Sequence, residues 1–258
     1  MCRELVRSAH GLEIGGPSPI FARGGLIPIY PSARQIDNVN FARTTTWERA
    51  ITEGDTYRFH PGSVVGRQFI AEGADLRSVP TESYDFILSS HMLEHTANPL
   101  RALKQWAERL RVGGGLILVL PHRDGTFDHR RPVTSLQHLE ADFENETAEG
   151  DLTHLQEVLE LHDISRDAGI SDAEALRTRA LQNADIRSMH HHVFDTRLAV
   201  ATLCRAGFEV VAVEPLEPYH IIVIAKKPAA GTIAEPVAKD LLRATLFNSP
   251  FVTDRQNL

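Results

Sequence analysis

Apolar positions recur along the first half of the chain in two alternating rhythms. Gly11-Leu-Glu-Ile14 forms a short strand pattern that breaks on Gly15-Gly16-Pro17. Arg34-Gln-Ile-Asp37 reads as the end of a second strand, and Tyr84-Asp-Phe-Ile-Leu-Ser-Ser90 as a further one. Asn98 and Pro99 then open a helix in the favoured order, a cap residue followed by proline. Leu100, Leu103, Trp106, Ala107 and Leu110 recur at three- and four-residue steps, which predicts one buried helix face. Val112-Gly-Gly-Gly115 supplies C-cap chemistry to end that helix. Leu116-Ile-Leu-Val-Leu120 is apolar throughout, as a strand covered on both faces of a parallel sheet must be. Strand, helix and strand in alternation predict a doubly wound, mostly parallel α/β sheet.

After Pro121 the pattern changes. Residues 122–192 are polar, acidic and helical in spacing, with two helices expected over Asp151–Asp163 and Ser171–Asp185 and Asp151 as the cap of the first. Residues 193–227 return to the earlier rhythm. Asp195 is placed to cap a helix running to Arg205, followed by strands over Phe208–Glu214 and His220–Ala225. The short connection between those strands excludes a parallel crossover, so they are expected to pair antiparallel. The division is therefore a core of 1–121 plus 193–227, an insertion of 122–192, and a tail of 228–258 with one short helix over Val237–Phe247.

Composition narrows the function classes. The 258 residues carry a net charge of −7 and no Lys/Arg-rich run, which disfavours general nucleic-acid binding. Leu116–Pro121 is the longest apolar run, far short of a membrane helix, and the N-terminus has no secretory core. Two cysteines cannot build a disulfide framework, so the cytoplasm is the expected compartment. Neither nucleic acid nor membrane is expected as a partner, and no feature of the sequence bears on oligomeric state.

Candidate chemistry begins at Leu12-Glu-Ile-Gly-Gly-Pro-Ser-Pro19. A strand delivers the Glu13 carboxylate to a turn where glycines let backbone approach a ligand. Such a pairing suits the polar, cationic parts of an adenosyl cofactor better than a pyrophosphate, which wants G-x-G-x-x-G opening a helix. A plain strand-to-helix turn remains the alternative. Asp37, 24 positions after Glu13, suits ribose hydroxyls by the logic that places an acid beyond a glycine turn. A turn or cap Asp is the competing reading.

Glu13-Ile-Gly-Gly16, Ile36-Asp37, Ala74-Asp-Leu76, Glu82-Ser-Tyr-Asp-Phe-Ile87, Met92-Leu-Glu-His95 and Leu110-Arg-Val-Gly-Gly-Gly115 stand in fixed order. In that order and spacing the chain resembles the class I S-adenosylmethionine-dependent methyltransferases, in the small-molecule branch often called type 11. The resemblance implies a Rossmann-like seven-stranded sheet with its last strand antiparallel, and S-adenosyl-L-methionine as cofactor. It also implies that Glu13, Gly15 and Gly16 flank the methionine part, that Asp37 holds the ribose, and that Asp75 and Leu76 lie against the adenine. Ser90 and His91 would sit near the methionine moiety or the acceptor. The family's third glycine is missing here, replaced by the Pro17/Pro19 segment.

Thirteen histidines, eight of them within 122–192, raise a separate question. They fit scattered structural roles, a substrate pocket with one or two bases, or a divalent metal site with Asp128 or Asp163. No metal-ligand spacing singles out the last, which is the less favoured. As base, His122 ranks first for its place at a strand end, then His129 and His191. His95 is expected to brace its loop. The expectation is methyl transfer to oxygen on a small polar metabolite or sugar-like hydroxyl under a lid formed by 122–192. Another reaction of the same cofactor, a metal-dependent enzyme built on the histidines, and a non-catalytic binding module are the rivals.

Overall fold

The computed structural model describes residues 2–45, 48, 50–229 and 239–256. One eight-stranded sheet organises the chain: β1 (His10–Ile14), β2 (Gln35–Asn40), β3 (Gly54–Tyr57), β4 (Gly66–Ile70), β5 (Tyr84–Ser90), β6 (Leu110–Pro121), β7 (Glu209–Leu216) and β8 (His220–Lys226). Its order is β3-β4-β2-β1-β5-β6-β8-β7. The pairs from β4 to β6 are parallel, while β6–β8 and β7–β8 are antiparallel as expected. The expected seven strands are corrected to eight by β3, which adds antiparallel to the outer edge of β4.

The helices are α1 (Cys2–Val6), α2 (Pro99–Arg109), α3 (Leu136–Glu144), α4 (Leu155–Leu161), α5 (Ala173–Leu181), α6 (Asn183–Ile186), α7 (Thr196–Arg205), α8 (Lys239–Asn248) and α9 (Val252–Gln256). Asn98 caps α2 by accepting from the Arg101 amide, and Asp195 caps α7 by accepting from that of Leu198. The glycine run does not end α2. The helix stops at Arg109 and the chain enters β6 at once, with Gly113 at φ 76°. A Cβ on Gly115 would lie 2.4 Å from the Leu5 methyls, so α1 packs directly on the backbone of the strand there.

Leu100, Leu103 and Trp106 are buried with α7 residues on one face of the sheet, and Trp106 donates to Gly73 O at 2.9 Å. Phe21, Tyr30, Phe59 and Phe86 fill the other face. Each such side chain contributes on the order of 2 kcal/mol by leaving water.

Segment 122–192 holds α3 to α6 and a small core of its own around Val158, Leu176, Ala180 and Met189. Sequence spacing missed α3, and Asp151 does not cap α4. That helix begins at Leu155, while Asp151 accepts from Thr153. The segment leaves the sheet at His122 and returns at Phe194. The two form a parallel bridge, with Arg123 N donating to Phe194 O at 2.9 Å. Of the helix expected over 237–247, residues 237 and 238 lie outside the described residues; α8 occupies the rest. No helix among the described residues is long and apolar enough to cross a membrane.

Candidate active site

A cavity of about 1080 Å³ opens along the carboxyl edge of the sheet. Open α/β sheets bind ligands at this edge, where strand order reverses. One half is built from the ends of β1, β2 and β4: Gly15 and Gly16, Asn40 and Phe41, Glu72 and Gly73. The other is built from Ser90, His91, Glu94 and His95 after β5, with Phe127, His190 and His220 facing them. The volume exceeds what one drug-sized ligand requires, so there is room for two reactants.

The glycine loop compensates for its missing glycine with side-chain clamps. Asn38 accepts from Gly16 N and donates to Gly16 O, both at 3.1 Å. Glu13 accepts from Ser18 N at 3.0 Å, from Tyr30 Oη at 2.8 and 2.9 Å, and from Tyr57 Oη at 2.7 Å. Burial pushes the Glu13 carboxyl up, against the pull of those donors. Gly15 holds φ 86°, which only glycine adopts without cost. A Cβ on Gly16 would fall 2.2 Å from the Glu13 carboxyl carbon, so the loop and its brace fit only as written.

The sequence-predicted cofactor residues divide. Gly15, Gly16, Ser90 and His91 line the cavity. Glu13 does not: it is fully buried beneath the loop and supports it. Asp37 is misplaced in the sequence reading. It lies in the first half of β2, where it accepts from His10 and Tyr84, the first residues of β1 and β5. That is the amino edge, away from the cavity. The strand runs on to Asn40, and Asn40 reaches the place expected for the acid. Asp75 is turned outward to pair with Arg77 and Leu76 is in the core, so neither meets the cavity; Glu72 and Gly73 do.

The three ranked bases are also corrected. His122 is fully buried, accepts from Asp124 N, bonds Asp254 at 3.2 Å through Nε2 and stacks on Phe251 at 3.9 Å. Both ring nitrogens are taken. His129 pairs with Asp163 at 2.8 Å and His191 with Asn183 at 3.0 Å, and neither lines the cavity. The first residue of the same run, His190, faces the cavity instead. Its Nδ1 lies 2.5 Å from Asp128 Oδ2, and Arg131 donates to Asp128 Oδ1 at 2.9 Å. Burial alone would push the Asp128 carboxyl up, but the His190 ring and Arg131 hold it well below the usual carboxylate range.

Glu94, His95 and His190 bring donor atoms within 4.8 Å of one another. The His95 and His190 rings meet edge to face at 4.6 Å. Burial pushes the Glu94 carboxyl up to about 7, and Oε2 of Glu94 has no hydrogen-bond partner. His91 bonds His220 at 3.0 Å, and burial together with His220 and His190 brings it down to about 3. These side chains come from segments about 100 residues apart, so no local spacing could have announced them. The one signal was the His190-His191-His192 run, whose members face different ways.

The comparisons with known proteins agree with this geometry. Residues 7–213 match the family described as Methyltransferase domain. The chain belongs to that family. This methyltransferase shares its fold with an S-adenosylmethionine-dependent methyltransferase from Mesorhizobium loti, at 15% identity and TM-score 0.51, covering 87% of this chain and 95% of that one. It is also similar to the [4+2]-cyclase SpnF, at 14% identity and TM-score 0.50, covering 87% of this chain and 77% of that one. No curated protein matches the methyltransferase in sequence. The family is that of the Methyltransferase domain, and the fold is the one seen in the S-adenosylmethionine-dependent enzyme from Mesorhizobium loti.

Proposed function

We propose that this methyltransferase acts on a hydroxyl of a small polar or sugar-like acceptor, with His190 as the general base and segment 122–192 as the lid that recognises the acceptor. The observation that carries the reading is the Asp128–His190 pair opening on the half of the cavity away from the glycine loop. Asp128 fixes Nδ1, which leaves Nε2 to take the acceptor proton.

The glycine-loop half fits the cofactor. Its backbone is bare at Gly15 and Gly73, and a Cβ on Gly73 would meet Met92 at 2.9 Å. Gly15, Gly16, Asn40, Glu72 and Ser90 would hold S-adenosylmethionine there, with Asn40 taking the ribose role. The bound sulfonium supplies a methyl group already activated for transfer. The protein's own task is then to align the acceptor oxygen in line, exclude water and remove one proton. As the methyl group passes to the acceptor oxygen, His190 would take the hydroxyl proton. A buried Glu94 that stays neutral up to about pH 7 suits a reaction in which positive charge disappears, because a strong anion there would favour the ground state.

The test is calorimetry with S-adenosylhomocysteine, then an acceptor screen read by product mass. His190→Ala should retain S-adenosylhomocysteine affinity and lose on the order of 10²–10⁴-fold in kcat. Full turnover in that variant would remove His190 from the role. A product lacking the added methyl would point to a reaction of the kind named for the cyclase neighbour.

A further inference from the structure

A second histidine cluster lies outside the cavity, and no step of the proposed reaction uses it. His138 and Asp142 stand one turn apart on α3, His154 immediately precedes α4, and His192 lies just before α7. None of the four lines the cavity. The donor atoms of the three histidines all fall within 4.8 Å of one another. His138 Nε2 is 3.1 Å from His154 Nε2 and 3.3 Å from Asp142 Oδ2. His192 Nε2 is 3.7 Å from the same carboxylate oxygen.

A tetrahedral zinc ion with ligands at about 2.0–2.1 Å needs neighbouring donor atoms about 3.3 Å apart. The His138–His154 and His138–Asp142 distances have that spacing, and the other donors stand farther out, with His192 Nε2 3.7 Å from Asp142 Oδ2 and the atoms of the three histidines within 4.8 Å of one another. One atom of the cluster is also unexplained otherwise. His192 Nδ1 is inaccessible and without a hydrogen-bond partner, and His192 is 1% exposed, while Asp142 Oδ2 has ion-pair contacts to His138 and His192 but no hydrogen bond. The surroundings are those of a ligand set. Thr147 donates to Asp142 Oδ1 at 3.0 Å, and His192 Nε2 lies 3.3 Å from Ala97 O, which leaves the unpartnered His192 Nδ1 as the ligand atom; such outer partners orient metal-binding carboxylates and imidazoles.

We propose that His138, Asp142, His154 and His192 form a structural site for one zinc ion. Three imidazoles and one carboxylate exclude calcium and magnesium, which prefer all-oxygen shells. Four protein ligands leave no open position, as in sites that hold a fold together. The ion ties α3 and the start of α4 to the segment that carries His190 into the cavity.

The experiment uses the full chain, stripped by a chelator and titrated with zinc, with cobalt(II) as the spectroscopic probe. One zinc per chain, a raised Tm and the intense visible bands of tetrahedral cobalt are expected. His154→Ala and His138→Ala should each weaken zinc by more than about 10-fold. His138 is a half-exposed position on α3, so its variant keeps the test open if His154→Ala fails to fold. Glu94→Gln, in the cavity cluster, should leave zinc affinity unchanged. No zinc uptake by folded wild-type chain, a weak six-coordinate cobalt spectrum, or loss of binding in Glu94→Gln but not His138→Ala would overturn the proposal.

Discussion

The proposed exchange of Asp37 for Asn40 as the ribose residue makes a paired prediction. Asp37 accepts from His10 Nε2 at 3.1 Å, Tyr84 Oη at 3.0 Å, Arg67 N at 2.8 Å and Gln35 Nε2 at 3.2 Å. Burial would raise its pKa, but these bonds outweigh burial and leave it lowered. Asp37→Asn keeps the volume and removes the charge from those bonds. The cost is about 2 kcal/mol, a net loss typical of charge-assisted bonds. For a chain of this size that is a fall of about 4–8 °C in Tm. Because the folded pKa is lowered, the carboxylate's contribution is full above about pH 4 and fades as pH falls through the folded pKa. The Tm gap between wild type and variant should therefore close in acid. Affinity for S-adenosylhomocysteine should stay within about twofold, as expected for independent sites. Asn40→Ala should weaken ligand binding, and it also lowers Tm because Asn40 Oδ1 accepts from Gln68 Nε2 at 3.1 Å. It removes a cavity contact and a 3.4 Å bond to Gly16 O, together worth about 1–2 kcal/mol, or roughly 5–30-fold in Kd. Thermal melts and calorimetry on the two variants measure both quantities. If Asp37→Asn lost the ligand while Asn40→Ala kept it, the placement of the cofactor at the carboxyl edge would be refuted.

Three further outcomes follow from the same geometry. Gly16→Ala should lower Tm and S-adenosylhomocysteine affinity together, because its Cβ collides with the Glu13 carboxyl; differential scanning fluorimetry with and without ligand reads both. Burial and the neighbouring Glu72 push the Glu149 carboxyl up to about 7, so stability tied to its neutral form is lost as pH rises from about 4.5 to 7. Glu149→Gln keeps an acceptor for Ala97 N and should raise Tm at pH 8 by at most the equivalent of about 3 kcal/mol, with the gain vanishing near pH 4. Asp128→Asn should cost about 3 kcal/mol in a denaturant titration, because it leaves the buried Arg131 with less counter-charge, and should slow turnover like His190→Ala without changing cofactor affinity.

Strong periodicity made the centre of the sheet legible. Leu116–Leu120, the Asn98-Pro99 cap and the Asp195 cap are local signals, and the structure places β6, α2 and α7 on them. Edge elements were not legible. Gly54–Tyr57 is a short polar segment that becomes a strand only because β4 offers unpaired backbone beside it. At the site, the glycine loop could be read because its chemistry is contiguous. Asp37 misled because strand length, not residue type, decides which edge of a sheet a side chain serves. Ending β2 three residues early put the acid where Asn40 stands. His122 misled for a related reason. A strand end faces the crevice, but its side chain can still turn toward another partner, here Asp254 in α9. The Asp128–His190 pair, 62 residues apart, is a product of tertiary folding alone.

The pairing of His122 with Phe194 means that the insertion begins and ends at one point of the core. Closing even a long loop across a fixed gap costs only a slowly growing entropy. Relatives could therefore acquire, lose or trade this stretch by recombination without disturbing strand register. Under the proposed function, acceptor preference could then diverge quickly while the cofactor half stays constant, and a chimera that grafts a foreign segment between residues 122 and 194, with Asp128 and His190 retained, is a direct route to a new specificity.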